Sequence, residues 1–187
     1  YWRLVQAMAA AVEARWEEPD HGIWEIRGPR RHHTHTKVMC WQTMDRAIMV
    51  AGQHMGRVPE GWVTLRDRIA ADVLNKGVDA AGARWCGAYG DPSPDASVLH
   101  VCLSGLVKPD DPRFEWAVNT VERDLLEGAT VLRYKMDDGL PGREGGFHIC
   151  AGWLAECYAI QGRREKAEAM LDGICSLSGP LGLLSEQ

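Results

Sequence analysis

Apolar residues recur at helical spacing through almost the whole chain. Between 36 and 54, Val38, Met39, Cys40, Trp41, Met44, Ala47, Ile48, Met49 and Val50 cover nearly the full circumference. That predicts a helix buried on most sides. The next segment, 62–76, carries Trp62, Leu65, Ile69 and Val73 as one stripe, with Arg66, Asp67, Arg68 and Asp72 elsewhere. It predicts a helix half in water. The alternation repeats. Ser93-Pro94-Asp95 supplies a cap and a first-turn proline for an apolar helix over 96–107. Asp111-Pro112 then opens an amphipathic one, with Phe114, Val118, Val121 and Leu125 on one side. In the third pair, Phe147, Cys150, Ala151, Leu154, Cys157 and Tyr158 mark a buried helix. Gly162 breaks it, and Ala167, Met170, Leu171 and Ile174 stripe an exposed successor in which Arg164 and Glu168 are spaced for a helical ion pair.

Three hairpins therefore follow a leading amphipathic helix over 2–16, and no segment reads as a strand. The fold class is all-α: an α-solenoid, or a toroid of helical hairpins with an inner and an outer ring. The hairpins share no sequence motif, which argues against the solenoid. Three and a half hairpins do not close a ring of six, so the expectation is part of a barrel.

The links divide into two kinds. Each buried helix joins the next exposed one by a short turn. The returns are long: 17–35, 77–93, 127–145 and the tail from 177. Long links in a compact domain are usually functional. In a toroid they all fall at one end, at the N-termini of the inner helices, and the functional face is expected there.

Composition narrows the partners. The 187 residues suffice for one sizeable core. A net charge of −5 argues against a nucleic-acid footprint. No apolar run approaches the roughly 20 residues of a membrane span, and the first residues lack a signal-peptide pattern. Six cysteines contain no CxxC pair, and Cys40, Cys102 and Cys150 lie in apolar stretches. They read as free thiols, which suits a reducing cytoplasm. Eight tryptophans stand against two phenylalanines. Indole surfaces serve as core or as sugar platforms.

The first long link reads Asp20-His21-Gly22-Ile23-Trp24-Glu25-Ile26-Arg27-Gly28, then Arg30 to Lys37 with His32, His33 and His35. Glu25 stands among apolar neighbours that can desolvate its carboxyl, an environment suited to a general acid. A solvated glutamate paired with Arg27 fits the local sequence somewhat better. The histidines lack the spacing and further ligands of a zinc site, so no metal and no cofactor is expected. Capping or hydrogen bonding to substrate suits them better. The third link holds Gly142-Arg143-Glu144-Gly145-Gly146 without the Lys-Ser/Thr of a phosphate loop. Glu144 there fits an ion pair or a substrate contact. The tail ends Gly182-Leu183-Leu184-Ser185-Glu186-Gln187. Glu25 and Glu186 thus fall in equivalent links, and two facing carboxylates are what glycoside hydrolysis requires.

These segments resemble a known family. Asp20-x-Gly22-Ile23-Trp24-Glu25-x-Arg27-Gly28, with His35-x-Lys37-x-Met39-x-Trp41 and Asp45-Arg46-Ala47, is similar to the signature of family 15 glycoside hydrolases. Glu144-Gly145-Gly146-Phe147 resembles its Glu-Gly-small-Phe segment, and Gly182 to Glu186 its base-bearing motif. The matches follow family order over 20–187. The resemblance implies an (α/α)6 barrel, normally after a β-sandwich domain, and hydrolysis with inversion. It places Glu25 on the general acid, Glu186 on the general base and Trp24 on the wall of the sugar pocket. Arg27, His35, Lys37 and Glu144 become candidate substrate contacts. The family's earlier motifs have no counterpart here, so residues 1–187 are expected to be a partial catalytic domain, with the remainder of that domain as partner; an oligomer is allowed. The family contains glucoamylases, glucodextranases and bacterial trehalases. The wording around Glu25 favours the trehalase and glucoamylase-like branch, hence trehalose ahead of maltooligosaccharides. The contrasting reading is a non-catalytic helical module that binds sugar or protein. Loss of either glutamate would favour it, and both are present.

Overall fold

The computed structural model describes residues 1–79, 81, 84–136 and 145–186. Helix α1 spans Trp2–Arg15, α2 Thr34–Met55 and α3 Trp62–Lys76. A 3-10 turn, Ala96–Leu99, runs into the short α4, His100–Leu103. After α5, Pro112–Asp124, come β1, Leu126–Glu127, and β2, Thr130–Val131. Helices α6, His148–Ile160, and α7, Arg164–Ser176, complete the described order.

The hairpins form as the periodicity predicts. On α2, Val38, Trp41, Met44, Ala47 and Ala51 are buried at helical spacing, and Val38, Trp41 and Met44 share one core with Ile69 and Val73 of α3. Their burial is the hydrophobic contribution to this hairpin. Met49 and Met55 stay about half exposed, at 47% and 48%. The buried surface of α2 is therefore narrower than the expected near-complete circumference. Helix α5 starts where its cap chemistry dictates: the Asp111 side chain accepts from the Arg113 backbone N–H, with Pro112 in the first turn. It buries Phe114, Ala117, Val118 and Val121. Helix α6 packs on α7, and Arg164 meets Glu168 at 2.7 Å on the exposed face of α7. The six cysteines are free thiols, four of them buried.

Two expectations are corrected. The apolar segment 96–107 is buried, yet it is not one long helix. Ser104 ends it: its hydroxyl accepts from the Leu106 N–H at 3.3 Å, and its carbonyl accepts from Arg46 at 3.2 Å. Local side-chain bonds of this kind compete with helix continuation. The expectation of no strand also fails, in a small way. Leu126 pairs with Val131 and Glu127 with Thr130 in an antiparallel hairpin. Two residues per strand leave too little alternation to read in advance.

The long links come together at one end, as the alternation of helices predicts. Asp20 bridges Arg31 within the first link, and His33 bridges Ala88 of the second. The Tyr89 N–H donates to the His32 carbonyl at 2.9 Å, and Arg31 pairs with Asp91 at 2.5 Å. Asp95 bridges Tyr134 of the third link. The Phe147 N–H reaches the Val131 carbonyl, and the His148 N–H reaches the Glu186 carbonyl of the tail at 3.3 Å. This interlinked end lies at the start of α2, of the 3-10 turn and of α6.

Candidate active site

Asp20 folds the first link. One carboxylate oxygen accepts from the Gly22 N–H at 2.6 Å and from the Thr36 hydroxyl at 2.7 Å, tying the turn to the first residues of α2. Gly22 takes a left-handed φ of 71° over the His33 ring, where a Cβ would lie 2.8 Å from Nδ1. Glycine alone suits both demands. Glu25 then turns left-handed at φ 51°, the one non-glycine residue with positive φ among the described residues. Such backbone is uncommon for a non-glycine residue and is enriched at functional positions.

Trp24 anchors the turn. Its ring lies 5.9 Å from Phe147 in an edge contact, 6.0 Å from Trp153 and 6.4 Å from Tyr134. The Arg133 guanidinium stands over Trp24, Tyr134 and Phe147 at 5.3–5.6 Å. The Trp24 Nε1–H donates to Asp95 at 2.9 Å. Beside this cluster, His100 meets Trp153 at 4.5 Å and His35 at 4.7 Å, both edge-on. Burial holds His35 down to about 4, with the neighbouring His100 acting in the same direction. Burial also lowers His100 and His33. These imidazoles are therefore neutral near pH 7. The His100 Nε2 and His148 Nδ1 atoms are buried without a hydrogen-bond partner among the described residues.

The candidate residues divide in four. Glu25 and Glu186 both adjoin the Phe147–His148 step, Glu25 through the ring of Trp24 and Glu186 through its own carbonyl. Both glutamates are exposed at this end. The apolar neighbours do not enclose Glu25 in this chain, for Ile23 is itself exposed. Arg27 is exposed in the same loop, and among the described residues no ion pair joins it to Glu25. Trp24 and His35 line the cluster just described. Lys37 is a correction. It is 1% exposed, and its ammonium donates to the Trp16 and Glu18 carbonyls at 2.5 and 2.6 Å. It fastens the end of α1 to α2 and presents no charge to a substrate. Glu144 lies outside the described residues. The histidines take separate partners: His32 stacks on Tyr89, His33 lies beneath Gly22, and His35 meets His100.

Sequence reasoning missed Asp95, His100, Arg133 and Trp153. Asp95 carried a signal, but only as a helix cap, and it does accept from the Ser97 N–H at 2.8 Å. The others join the site from separate elements, which periodicity cannot pair.

The model of glycosyl hydrolases family 15 matches residues 1–176. The chain belongs to this family. It is 37% identical over 190 residues to a trehalase of Mycobacterium tuberculosis (strain ATCC 25618 / H37Rv), covering all of this chain and 28% of that protein. It is 34% identical to a trehalase of Thermoplasma acidophilum (strain ATCC 25905 / DSM 1728 / JCM 9062 / NBRC 15155 / AMRC-C165), covering all of this chain and 32% of that protein. The chain thus spans about a third of the length of these relatives. Among solved structures, a wild-type glycosidase matches with a TM-score of 0.81 at 24% identity, over 93% of this chain and 46% of that one. A glycosidase variant in complex with glucose matches with 0.77 at 23% identity, again over 93% and 46%. At that identity the likeness speaks for the fold: this chain has the fold of part of a glycosidase helical barrel. The family 15 signature also gains physical reasons. Asp20 and Gly22 shape the turn before Trp24-Glu25, Lys37 fastens the end of α1 to α2, and Asp45 and Arg46 reach Arg66 and Ser104. Among the described residues no helix is long and apolar enough to cross a membrane.

Proposed function

We propose that this chain is the part of a trehalose-hydrolysing family 15 enzyme that carries both its general acid, Glu25, and its general base, Glu186. The observation that carries the reading is the meeting of two links at one step. Trp24, beside Glu25, packs on Phe147, and Glu186 bonds to the next residue, His148. Trehalose is preferred because the relatives described above are trehalases at full coverage of this chain. Residues 1–187 then form one portion of the catalytic barrel, working with the remainder of that domain. The free thiols fit a cytoplasmic enzyme.

The chemistry follows from inversion. Glu25 donates a proton to the glycosidic oxygen as the C–O bond breaks. Glu186 takes a proton from water as that water attacks the anomeric carbon from the opposite face, which sets the carboxyl groups about 6.5–9.5 Å apart. The indole of Trp24 offers an apolar face to the sugar, with the neutral His35 beside it. Arg27 and Glu144 are the remaining candidate contacts.

The test uses the full-length protein and trehalose. Proton NMR before mutarotation is expected to show one β- and one α-glucose per trehalose cleaved. Two α-anomers would mean retention and would overturn the roles of both glutamates. Glu186→Ala is expected to abolish turnover of trehalose and of α-glucosyl fluoride. Glu25→Gln is expected to spare the fluoride, whose leaving group needs little protonation. Each loss on trehalose should reach about 10²–10⁴-fold. No hydrolysis of any α-glucoside by the wild type would favour a sugar-binding module.

A further inference from the structure

The residue before the proposed acid is tethered to a buried carboxylate far along the chain. The Trp24 Nε1–H donates to Asp95 Oδ1 at 2.9 Å, and the same oxygen accepts from the Ser97 N–H at 2.8 Å. Asp95 is 2% exposed. Three links immobilise it. Its own backbone bridges Tyr134 of the third link. Gly87 of the second link comes so near that a Cβ there would lie 2.7 Å from the Asp95 Cβ. Trp24 holds it from the first.

An indole has a single N–H, so this bond sets the rotation of the ring. The contacts with Phe147, Trp153 and Arg133 are packing contacts, which tolerate rotation about the ring normal. Each partner also needs the other, because a buried carboxylate that loses a donor is costly. Glu25 follows Trp24 directly and takes its left-handed turn at once. The turn is fastened by the Glu25 N–H to Gly22 and the Ile26 N–H to His21, at 3.3 and 3.1 Å. A rotated Trp24 would swing that turn.

We propose that Asp95 is a positioning residue: by holding the Trp24 indole it fixes the direction in which Glu25 presents its carboxyl to the glycosidic oxygen. The proposal rests on the assignment of Glu25 as general acid above. A general acid displaced by about 1 Å can lose about 10²-fold in rate. Asp95 touches no reacting atom and acts through Trp24, so its largest effect falls on the proton-donating step, while the packing of the indole on Phe147 and Trp153 keeps the ring's face toward the sugar.

The experiment compares Asp95→Ala, Asp95→Asn and Trp24→Phe in the full-length protein. Asp95→Ala is expected to lower kcat on trehalose by about 10²-fold with little change in KM. It should lower kcat on α-glucosyl fluoride far less. Asp95→Asn keeps an acceptor in place and should recover activity to within about tenfold of wild type. Trp24→Phe removes the N–H and should reproduce the split between the two substrates. Combining it with Asp95→Ala should add little, since both break one bond. Equal losses on both substrates, or additive losses, would overturn the proposal. Should Asp95→Ala fold poorly, Trp24→Phe and Asp95→Asn decide alone.

A second readout needs no activity. In Asp95→Ala the Trp24 indole ¹⁵N–¹H resonance, assigned by its absence in Trp24→Phe, should move upfield and lose exchange protection. An unmoved resonance would refute the tether. A wild type inactive on α-glucosides would refute the glycosidase reading instead, and leave the indole signal to judge Asp95.

Discussion

The ring of His35 stands edge-on to that of His100, with centroids 4.7 Å apart, so a proton on His35 would place a charge against a second buried imidazole. Burial is the larger reason that His35 is held down to about 4, and the second imidazole adds to it. The consequence for stability has a definite sign. The folded value lies below the ordinary 6.5, so as pH falls the unfolded chain binds the proton first. The contribution of His35 is complete above about 6.5, declines as pH falls toward 4, and levels off below it. His33 and His100 are lowered by burial and act in the same sense. Chemical denaturation of the full-length protein at pH 7, 5.5 and 4.5 should show this decline. His35→Asn should flatten it, because the titrating group is gone. A variant with the wild-type slope would show that the pair does not set acid sensitivity.

The buried ammonium of Lys37 holds the carbonyls of Trp16 and Glu18. Methionine has a comparable length and no donor. Lys37→Met would leave both carbonyls short of a partner at the junction of α1 and α2. Hydrogen bonds from a charged donor contribute about 1.5–3 kcal/mol, so a loss of roughly 2–4 kcal/mol is expected in thermal or urea unfolding. KM for trehalose should change little in the folded variant. A stable Lys37→Met protein with a sharply raised KM would restore Lys37 to the substrate contacts.

Legibility in the sequence followed locality. Helix type, hairpin order and the gathering of long links at one end all derive from periodicity and link length, and they are present in the fold except over 96–107, where a 3-10 turn and a short helix replace one long helix. The Asp111-Pro112 start and the break at Gly162 follow from single-residue chemistry. The split at Ser104 was hidden because it depends on Arg46, which arrives from another helix. The site divides the same way. Glu25 and Trp24 announce themselves in one short motif. Lys37 belongs to that motif too, and only the fold reveals that its charge turns inward to backbone carbonyls. The value of Asp95 lies in a partner 71 positions away, which no local pattern encodes.

Gly22 provides a local test of the loop that presents Glu25. Alanine there would face a left-handed φ of 71° and a Cβ 2.8 Å from the His33 ring. The strain is expected to cost about 1–2 kcal/mol, and to be relieved by loosening the loop while the helices keep their packing. Hydrogen exchange should quicken at the amides of Glu25 and Ile26, which donate back to Gly22 and His21. Amides in the middle of α2 and α6 should be unchanged. Uniformly faster exchange across the helices would mean that Gly22 supports the whole fold and not this turn alone.

Glu25 itself yields the sharpest test of stored strain. A side chain other than glycine at φ 51° brings its Cβ close to the following carbonyl, and costs on the order of 1 kcal/mol. The Glu25 carboxyl is exposed, and among the described residues no hydrogen bond or ion pair offsets that cost. Glu25→Gly removes the clash. It also gives the unfolded chain more freedom, which offsets part of the gain. The full-length protein should therefore keep its stability or gain up to about 1 kcal/mol, read as an unchanged or raised Tm. Glu25→Gln keeps the Cβ and should leave Tm where it was. Both variants should lose trehalose hydrolysis. A residue whose removal leaves the fold intact while ending the chemistry is retained for function and not for packing. If Glu25→Gly instead lowers Tm by several degrees, the left-handed turn is held by contacts of the side chain, and Glu25 is a structural residue of the loop.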